Sequence, residues 1–409
     1  MNEKEYHIFI IWEKGRNLES ELINKIETEF EVVQTFSVKW SLYQVSNNFT
    51  RFYGANLPKN SDKEKHCGKG EFKLVVVKDN KPNYDIRQTS KGPRRVNTNM
   101  FDTKKTLREL TGGGHKIHGT DSEQETRHNV ALLLGLSLGD FLQKYTKRTE
   151  DIKLERDISG SLGWDSFDQL FYILNECSEY LVLRNADNIN EEYFINNDGD
   201  VDLLARNSDE VKYVLGDLNS INEKREHMYV AVNNNEVKFE VYNTGENLFH
   251  ESFENALFKQ RRMFGNIVCL QKEMEFFGLI YHALLMKPKL SEKHKHRLKQ
   301  NYSEFLDNGN VSESALESML INYFAEHGYE FTPPDVGYFN VRSGIEKLLL
   351  KNRNRDSYLL RQLKKILLID VKNREINVTI ANSFNNRFSL KLKIIRGIKI
   401  GLYIGNTKC

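Results

Sequence analysis

The sequence predicts an α+β protein in three parts, and three patterns support this. Residues 1–150 alternate apolar, strand-like runs with segments of helical spacing. Residues 151–290 continue the alternation and place acidic residues at strand positions, whereas residues 291–409 are mainly helical in pattern and end in a β-rich tail, Ile376–Ile404. Helices that cover a sheet produce such alternation. We therefore expect three domains, at 1–150, 151–290 and 291–409.

The first part begins with an apolar strand, Tyr6–Trp12, and a helix, Leu18–Phe30. A strand-like segment follows at Glu31–Trp40, and Phe72–Lys78 has the sequence FKLVVVK, which is typical of a buried strand. A basic, glycine-bearing stretch then leads to a helix that begins near Ser122. These β-α-β passages predict helices on one face of an antiparallel sheet.

The remaining elements are predicted from apolar periodicity and turn residues. Helices are expected at Trp164–Cys177, Ser208–Leu218, Glu251–Phe264, Glu273–Met286, Glu313–Glu326 and Ile345–Leu368. Strands are expected at Tyr180–Arg184, Asp200–Leu204, Met228–Val232, Glu236–Val241 and Ile267–Leu270. The third and fourth of these strands should form a hairpin, because asparagine tolerates positive φ in the Asn233-Asn234-Asn235 turn.

The net charge of +2 results from the cancellation of opposite charges. The 409 residues carry 59 Lys+Arg and 57 Asp+Glu, but the three parts contribute +5, −11 and +8 in order. Such segregation indicates parts with different partners.

Four dispersed cysteines without a C-x-x-C pair argue against a disulfide scaffold or zinc ribbon. No apolar run is long enough for a signal peptide or a membrane span, so we expect a cytoplasmic protein, with peripheral membrane attachment left open.

The sharpest functional signal is a group of three carboxylates. Asp200 and Asp202 alternate with Val201 on one predicted strand, so both point to the same face. Glu240 occupies the polar face of a later strand, VKFEV. Neighbouring carboxylates repel each other unless a cation lies between them, and hard oxygen ligands select Mg²⁺ or Mn²⁺. The alternatives are a solvated acidic loop and a site that has lost its activity.

These motifs resemble the nucleotidyltransferase superfamily that includes DNA polymerase β. The resemblance is carried by YLVLRNAD, DGDVDLLAR and VKFEV over roughly residues 160–290. It implies that Asp200, Asp202 and Glu240 bind catalytic metal. The superfamily's Gly-Ser pair is missing, and Arg184-Asn185 takes about its position, where a phosphate-binding group is needed. Tyr281–Pro288 is similar to a segment of uncharacterised proteins from bacterial surface-glycan loci, and this implies a role in polysaccharide biosynthesis. Lys287 lies just past the end of the predicted helix, where it could reach a triphosphate.

A second signal is His118, which precedes a glycine turn and a helix start where phosphate is well placed. Between Asp62 and Arg108, 13 Lys/Arg face six Asp/Glu, and several have the spacing of phosphate contacts. The candidates are Arg87, Arg94, Arg95, Lys104 and Arg108. Three roles stay open for His118, namely phosphate transfer, nucleotide or phosphate binding without turnover, and a structural contact.

This passage is similar to nucleoside diphosphate kinases over about residues 5–138. The family's signature, Asn-x-x-His-Gly-Ser-Asp-Ser, matches His118-Gly119-Thr120-Asp121-Ser122, with His115 at the asparagine position. The resemblance implies that His118 is the phosphorylated histidine, that Arg87 and Thr89 lie in the phosphate-binding segment, and that the domain is ferredoxin-like. The central domain would then have the nucleotidyltransferase fold.

The leading hypothesis is a Mg²⁺-dependent nucleotidyl- or phosphotransferase. Its donor would be a nucleoside triphosphate or a nucleotide-activated compound, and its acceptor a sugar, polyol or surface-glycan intermediate. Two alternatives are a toxin- or defence-type nucleotidyltransferase that acts on RNA or protein, and a non-catalytic nucleotide-binding scaffold. Nucleic acid is a possible but less favoured partner, and the oligomeric state is not predicted.

Overall fold

The computed structural model describes residues 4–89, 92–189, 199–223, 227–246, 248–287 and 289–331, together with the backbone of three strands between residues 376 and 406. The chain divides into two units, Met1–Arg342 and Ser343–Cys409. Helices and several sheets are both present, so the predicted α+β class is confirmed. Within the described residues, no helix is long and apolar enough to cross a bilayer. The domain boundaries at 150 and 290 stay predictions.

The first sheet contains the strands predicted at the start of the chain. The strands of this region are β1 (Glu5–Ile11), β2 (Glu31–Lys39), β3 (Phe72–Asp79), β4 (Tyr84–Thr89), β5 (Gly92–Asn97), β6 (Ile117–Gly119) and β7 (Ile152–Glu155). Five of them form a sheet in the order β6-β1-β3-β2-β7, antiparallel except between β2 and β7. The other two form an antiparallel hairpin, β4–β5, within the basic stretch.

Helices cover both faces of this sheet, so the prediction of helices on one face is wrong, because successive residues of β1 are buried on either side. They are α1 (Glu19–Glu29), α2 (Val45–Tyr53), α3 (Asp62–Cys67), α4 (Thr98–Leu110), α5 (Glu123–Leu134) and α6 (Leu138–Lys144). Leu22 of α1 and Met100 of α4 pack on Phe9 of β1 at one face. The predicted start of α5 is confirmed, because the Ser122 hydroxyl caps it by accepting a hydrogen bond from the Glu125 N–H.

The second sheet has six strands and contains the carboxylates. Its strands are β8 (Tyr180–Val182), β9 (Asp200–Ala205), β10 (Met228–Val232), β11 (Asn235–Asn243), β12 (Arg261–Phe264) and β13 (Ile267–Leu270). Their order is β10-β11-β9-β8-β13-β12. The pairs β9/β11 and β8/β13 are parallel. The predicted hairpin turn is confirmed, since Asn233 and Asn234 have φ values of 47° and 60°.

Several predicted helices of this region have different bounds in the structure. The helices are α7 (Phe167–Cys177), α8 (Ser208–Leu215), α9 (Leu218–Glu223), α10 (Glu251–Lys259), α11 (Lys272–Tyr281), α12 (Glu292–Asn301) and α13 (Glu313–His327). The helix expected from Trp164 begins only at Phe167, because Ser166 caps it. The helix expected to reach Phe264 ends at Lys259, because β12 turns at Gly265 (φ 56°) and pairs with β13.

The two sheets share one hydrophobic core. Phe52 of α2, Leu134 of α5 and Phe171 of α7 belong to the same buried cluster. Arg51 of α2 is only 2% exposed, and its polar contacts join α2 to α8 and to Ser159. Its guanidinium donates hydrogen bonds to the carbonyls of Ser159, Tyr213 and Val214 at 2.8, 3.1 and 2.6 Å.

The predicted β-rich tail is confirmed in the second unit. Three antiparallel strands form one sheet, namely β14 (Ile376–Ala381), β15 (Arg387–Ile395) and β16 (Lys399–Asn406). The helix predicted at Ile345–Leu368 lies outside the described residues.

Candidate metal centre

Two parallel strands place the three carboxylates at one point of the second sheet. Asp200 and Asp202 lie on β9, and the pairing of β9 with β11 aligns Glu240 with Asp202. Successive side chains of a strand alternate between faces, so all three are on the same face. The apolar residues between them, Val201 and Phe239, are buried on the opposite face.

One carboxylate oxygen from each residue lies within 4.8 Å of the other two. The side chain of Asp200 is 40% exposed, that of Glu240 is 17% exposed and that of Asp202 is 4% exposed. An ion bound at this point would be exposed to solvent on the side of Asp200 and enclosed by protein on the side of Asp202. Hard oxygen donors in this number suit Mg²⁺ or Mn²⁺.

Asp202 has one carboxylate oxygen bonded and one unpaired. Arg184 donates to Oδ2 from Nε at 2.9 Å and from a terminal nitrogen. Oδ1 is buried and has no hydrogen-bond partner among the described residues. Burial raises the pKa of Asp202, and Asp200 and Glu240 raise it further, against the lowering effect of Arg184. A cation at Oδ1 would satisfy this oxygen, so the residues present fit a divalent ion.

Glu240 accepts two side-chain hydrogen bonds and lies beside an imidazole. The Tyr242 hydroxyl donates to Oε2 at 2.5 Å and the Lys238 ammonium to Oε1 at 2.8 Å, while His227 Nδ1 lies 3.1 Å from Oε1. Burial alone would raise the pKa of Glu240, but these bonds and charges hold it below its ordinary value. Lys238 also lies 3.6 Å from Asp200 Oδ2. Its ammonium is therefore an internal cation between two of the three carboxylates.

Of the predicted phosphate contacts of this part, Arg184 contacts one of the three carboxylates, Asp202. Arg184 lines a pocket together with Tyr242 and His282, but its guanidinium is committed to Asp202. Asn185 has a φ of 60° and donates its backbone N–H to Glu275 Oε1 at 2.8 Å. Lys287 is exposed and follows a π-helical turn, His282–Met286. Their roles toward phosphate stay predictions.

His118 lies on β6 at the edge of the first sheet and is 8% exposed. Asn129 Nδ2 is 2.9 Å from its Nε2, and the rings of Phe52 and Tyr53 pack on it at 5.3 and 5.7 Å between centroids. Burial lowers the pKa of His118 far below its ordinary value, and the charges of nearby lysines and an arginine lower it further. The imidazole is therefore neutral at physiological pH.

The basic residues expected around His118 separate into two groups. Lys104 donates to the Gly119 carbonyl at 3.1 Å and pairs with Asp121, and Arg108 donates to the Ile117 carbonyl at 3.0 Å. These two residues therefore adjoin the strand of His118. Arg87 and Arg94 face each other on the β4–β5 hairpin.

Three polar neighbours of Glu240 were missed in the sequence. Lys238 and Tyr242 flank it at two-residue spacing, so strand alternation was a usable signal for both. The position of His227 could be inferred from the hairpin register. Met228 pairs with Phe239, so the residue before Met228 lies opposite Glu240. In the first part Lys63 was missed, and its ammonium lies 3.7 Å from the Tyr53 ring centroid, where burial lowers its pKa to about 8. Only tertiary packing brings it there.

Comparison of this chain with protein-family models and with curated proteins finds no match.

Proposed function

We propose that this chain is a Mg²⁺- or Mn²⁺-dependent nucleotidyl- or phosphotransferase. The proposal rests on one observation. Asp200, Asp202 and Glu240 converge within 4.8 Å, and the buried Asp202 offers an oxygen with no partner among the described residues. A divalent ion held there would neutralise the charge that develops on a transferred phosphoryl group.

The protein's own side chains would divide the work of binding and orientation. Asp202 would bind the ion deeply, since Arg184 fixes its carboxylate, and Asp200 would bind it at the solvent side. Tyr242 would hold Glu240 in a single orientation. The donor would be a nucleoside triphosphate or a nucleotide-activated compound, and the acceptor a hydroxyl of a sugar, polyol or surface-glycan intermediate.

The strand orders support a finer assignment of both sheets. In the first, β6-β1-β3-β2 with α1 and α4 on one face is the order of a ferredoxin-like sandwich, as in nucleoside diphosphate kinases. In the second, carboxylates on the adjacent parallel strands β9 and β11 support a nucleotidyltransferase fold. Because His118 is buried and its Nε2 contacts Asn129, we propose phosphate or nucleotide binding without phosphate transfer for the first sheet.

Metal titration of matched variants tests the proposal. Mn²⁺ binding is measured by calorimetry for the wild type, Asp202→Asn, Glu240→Gln and Glu236→Gln. Glu236 is exposed on the same strand as Glu240, so its variant is the control for loss of one charge. We expect the first two variants to bind at least about tenfold more weakly. The control should match the wild type within about twofold.

A nucleotide then completes the test. Mg²⁺ with a non-hydrolysable nucleoside triphosphate should raise the melting temperature of the wild type and of Glu236→Gln but not of Asp202→Asn. Equal stabilisation of all variants would refute the metal site and the function proposed from it.

A further inference from the structure

A cluster of nitrogen-bearing side chains lies near Arg184, whose charge acts on both of its histidines. His282 begins the π-helical turn that extends α11, and His294 and Arg297 lie on α12. The two imidazole rings are 5.7 Å apart between centroids, at an angle of 74°. His282 and Arg184 line the same pocket. A π-helical turn inside a helix is a recurring mark of functional sites.

The cluster has donors without acceptors. His282 Nδ1, Arg297 Nε and a terminal nitrogen of Arg297 are buried, and none has a hydrogen-bond partner among the described residues. Buried guanidinium N–H groups without acceptors lower the stability of the folded protein. Native structures rarely contain them unless a ligand, ion or water accepts their hydrogen bonds. Arg297 also makes no ion pair within the described part of the chain.

The local electrostatics are those of an anion site. Burial lowers the pKa of His282 and His294, and the positive charges of Arg184, Lys287 and Arg297 lower both further, that of His294 to about 4. The nearby acids are already engaged, Asp202 with Arg184 and Glu275 with the Asn185 N–H. The positive side chains therefore repel one another, and an anion would relieve that repulsion.

We propose that His282, His294 and Arg297 form a binding site for a phosphate group beside the carboxylate site. The planar guanidinium matches two phosphate oxygens, and a neutral imidazole donates one N–H to a third. Leu248, Phe249 and Met286 line the pocket beside His282 and Arg184, and apolar surroundings of this kind strengthen hydrogen bonds made by His282. The phosphate could belong to the polyphosphate end of the donor or to a phosphorylated acceptor, and this choice alone rests on the proposed function.

Binding of inorganic anions without metal tests the site directly. Calorimetry in EDTA measures inorganic tripolyphosphate and orthophosphate with the wild type, Arg297→Gln, His282→Gln and Lys299→Gln. Lys299 is exposed on the same helix, so its variant controls for loss of one positive charge. We expect the first two variants to bind at least about tenfold more weakly and the control to bind as the wild type does.

Two results would overturn the site. One is the absence of binding to the wild type up to about 10 mM anion, and the other is equal binding by all variants. Circular dichroism and melting temperature verify that each variant is folded. If Arg297→Gln does not fold, Lys287→Gln replaces it, because Lys287 is exposed and its charge acts on both histidines. It should weaken binding by about threefold.

The source of the phosphate follows from two further ligands. If Arg297→Gln binds a nucleoside triphosphate more weakly but a nucleoside monophosphate equally well, the site binds the polyphosphate of the donor. Weaker binding of a hexose phosphate identifies the acceptor instead. The anion site and the metal site fail separately, because tripolyphosphate in EDTA requires no carboxylate and the Mn²⁺ titration requires no anion.

Discussion

Arg184 binds Asp202 through a single carboxylate oxygen. Both of its hydrogen bonds go to Oδ2, and Oδ1 has no partner among the described residues. An arginine that pairs only for stability commonly engages both oxygens of a carboxylate. Here it fixes the orientation of Asp202 and leaves one oxygen for a cation, so Arg184 is a positioning residue in the proposed site.

Replacement of Arg184 tests this role through the sign of its effect. Loss of a nearby positive charge would by itself strengthen cation binding, whereas loss of positioning would weaken it. We expect Arg184→Gln to bind Mn²⁺ about tenfold more weakly in calorimetry. Arg206→Gln is the control, because Arg206 follows β9 directly and its side chain is exposed. Tighter binding by Arg184→Gln would show that the positioning role is wrong.

Lys238 should act in the opposite direction. Its ammonium is bonded to Glu240 and lies near Asp200, so it competes with a divalent ion for two ligands. We expect Lys238→Met to bind Mn²⁺ about fivefold more tightly, which corresponds to about 1 kcal/mol for a partly exposed ion pair. The metal-free variant should also melt at a lower temperature, because its carboxylates repel each other. Unchanged Mn²⁺ affinity would contradict this prediction, because it would show that Lys238 does not compete with the ion for Asp200 and Glu240.

Arg51 should contribute strongly to stability. Arg51→Met would leave the carbonyls of Ser159, Tyr213 and Val214 without their buried donor. We expect the free energy of unfolding to fall by about 3 kcal/mol in urea denaturation. Arg127→Met, at an exposed position, should change it by less than about 0.5 kcal/mol. Similar values for the two variants would contradict the structural role of Arg51.

Stability should decrease in mild acid because of buried histidines. Burial lowers the pKa of both His118 and His128 below 6.5 in the folded protein. Below pH 6.5 the unfolded chain binds more protons at these residues than the folded chain does. The free energy of unfolding should therefore fall by up to about 1.4 kcal/mol per pH unit for each histidine.

Urea denaturation at about pH 7.5, 6.5 and 5.5 measures this slope, and His128→Gln should reduce it by the contribution of one proton. Above pH 6.5 the contribution of these two histidines is fully present and should not change with pH. Stability that stays constant down to pH 5.5 would contradict the prediction.

The carboxylates could be placed from sequence because strand geometry has a period of two. Asp200, Asp202 and the asparagine turn at 233–234 follow local rules, which also give the register of the β10–β11 hairpin. The parallel pairing of β9 with β11, which brings Glu240 to Asp202, depends on tertiary packing. The role of Arg184 could not be inferred in this way. The sequence indicated a phosphate contact, whereas its pairing with Asp202 depends on the antiparallel packing of β8 against β9.

Other features depended on tertiary contacts and were missed. The segment Arg261–Phe264 continues the apolar spacing of α10, so only its pairing with β13 makes it a strand. The β4–β5 hairpin is largely exposed and polar, and it therefore lacks an alternating pattern. His294 and His282 meet because α12 packs near the π-helical turn, which no short sequence pattern predicts.

The parallel pairing of β9 with β11 has a consequence for folding. Asp202 and Glu240 belong to distant stretches of the chain and become neighbours only when the sheet forms. A divalent ion shared by them would act as a reversible cross-link that closes the intervening loop, and it would bind the unfolded chain far more weakly. The stability of the folded sheet would therefore rise with metal concentration, even in a variant without transferase activity.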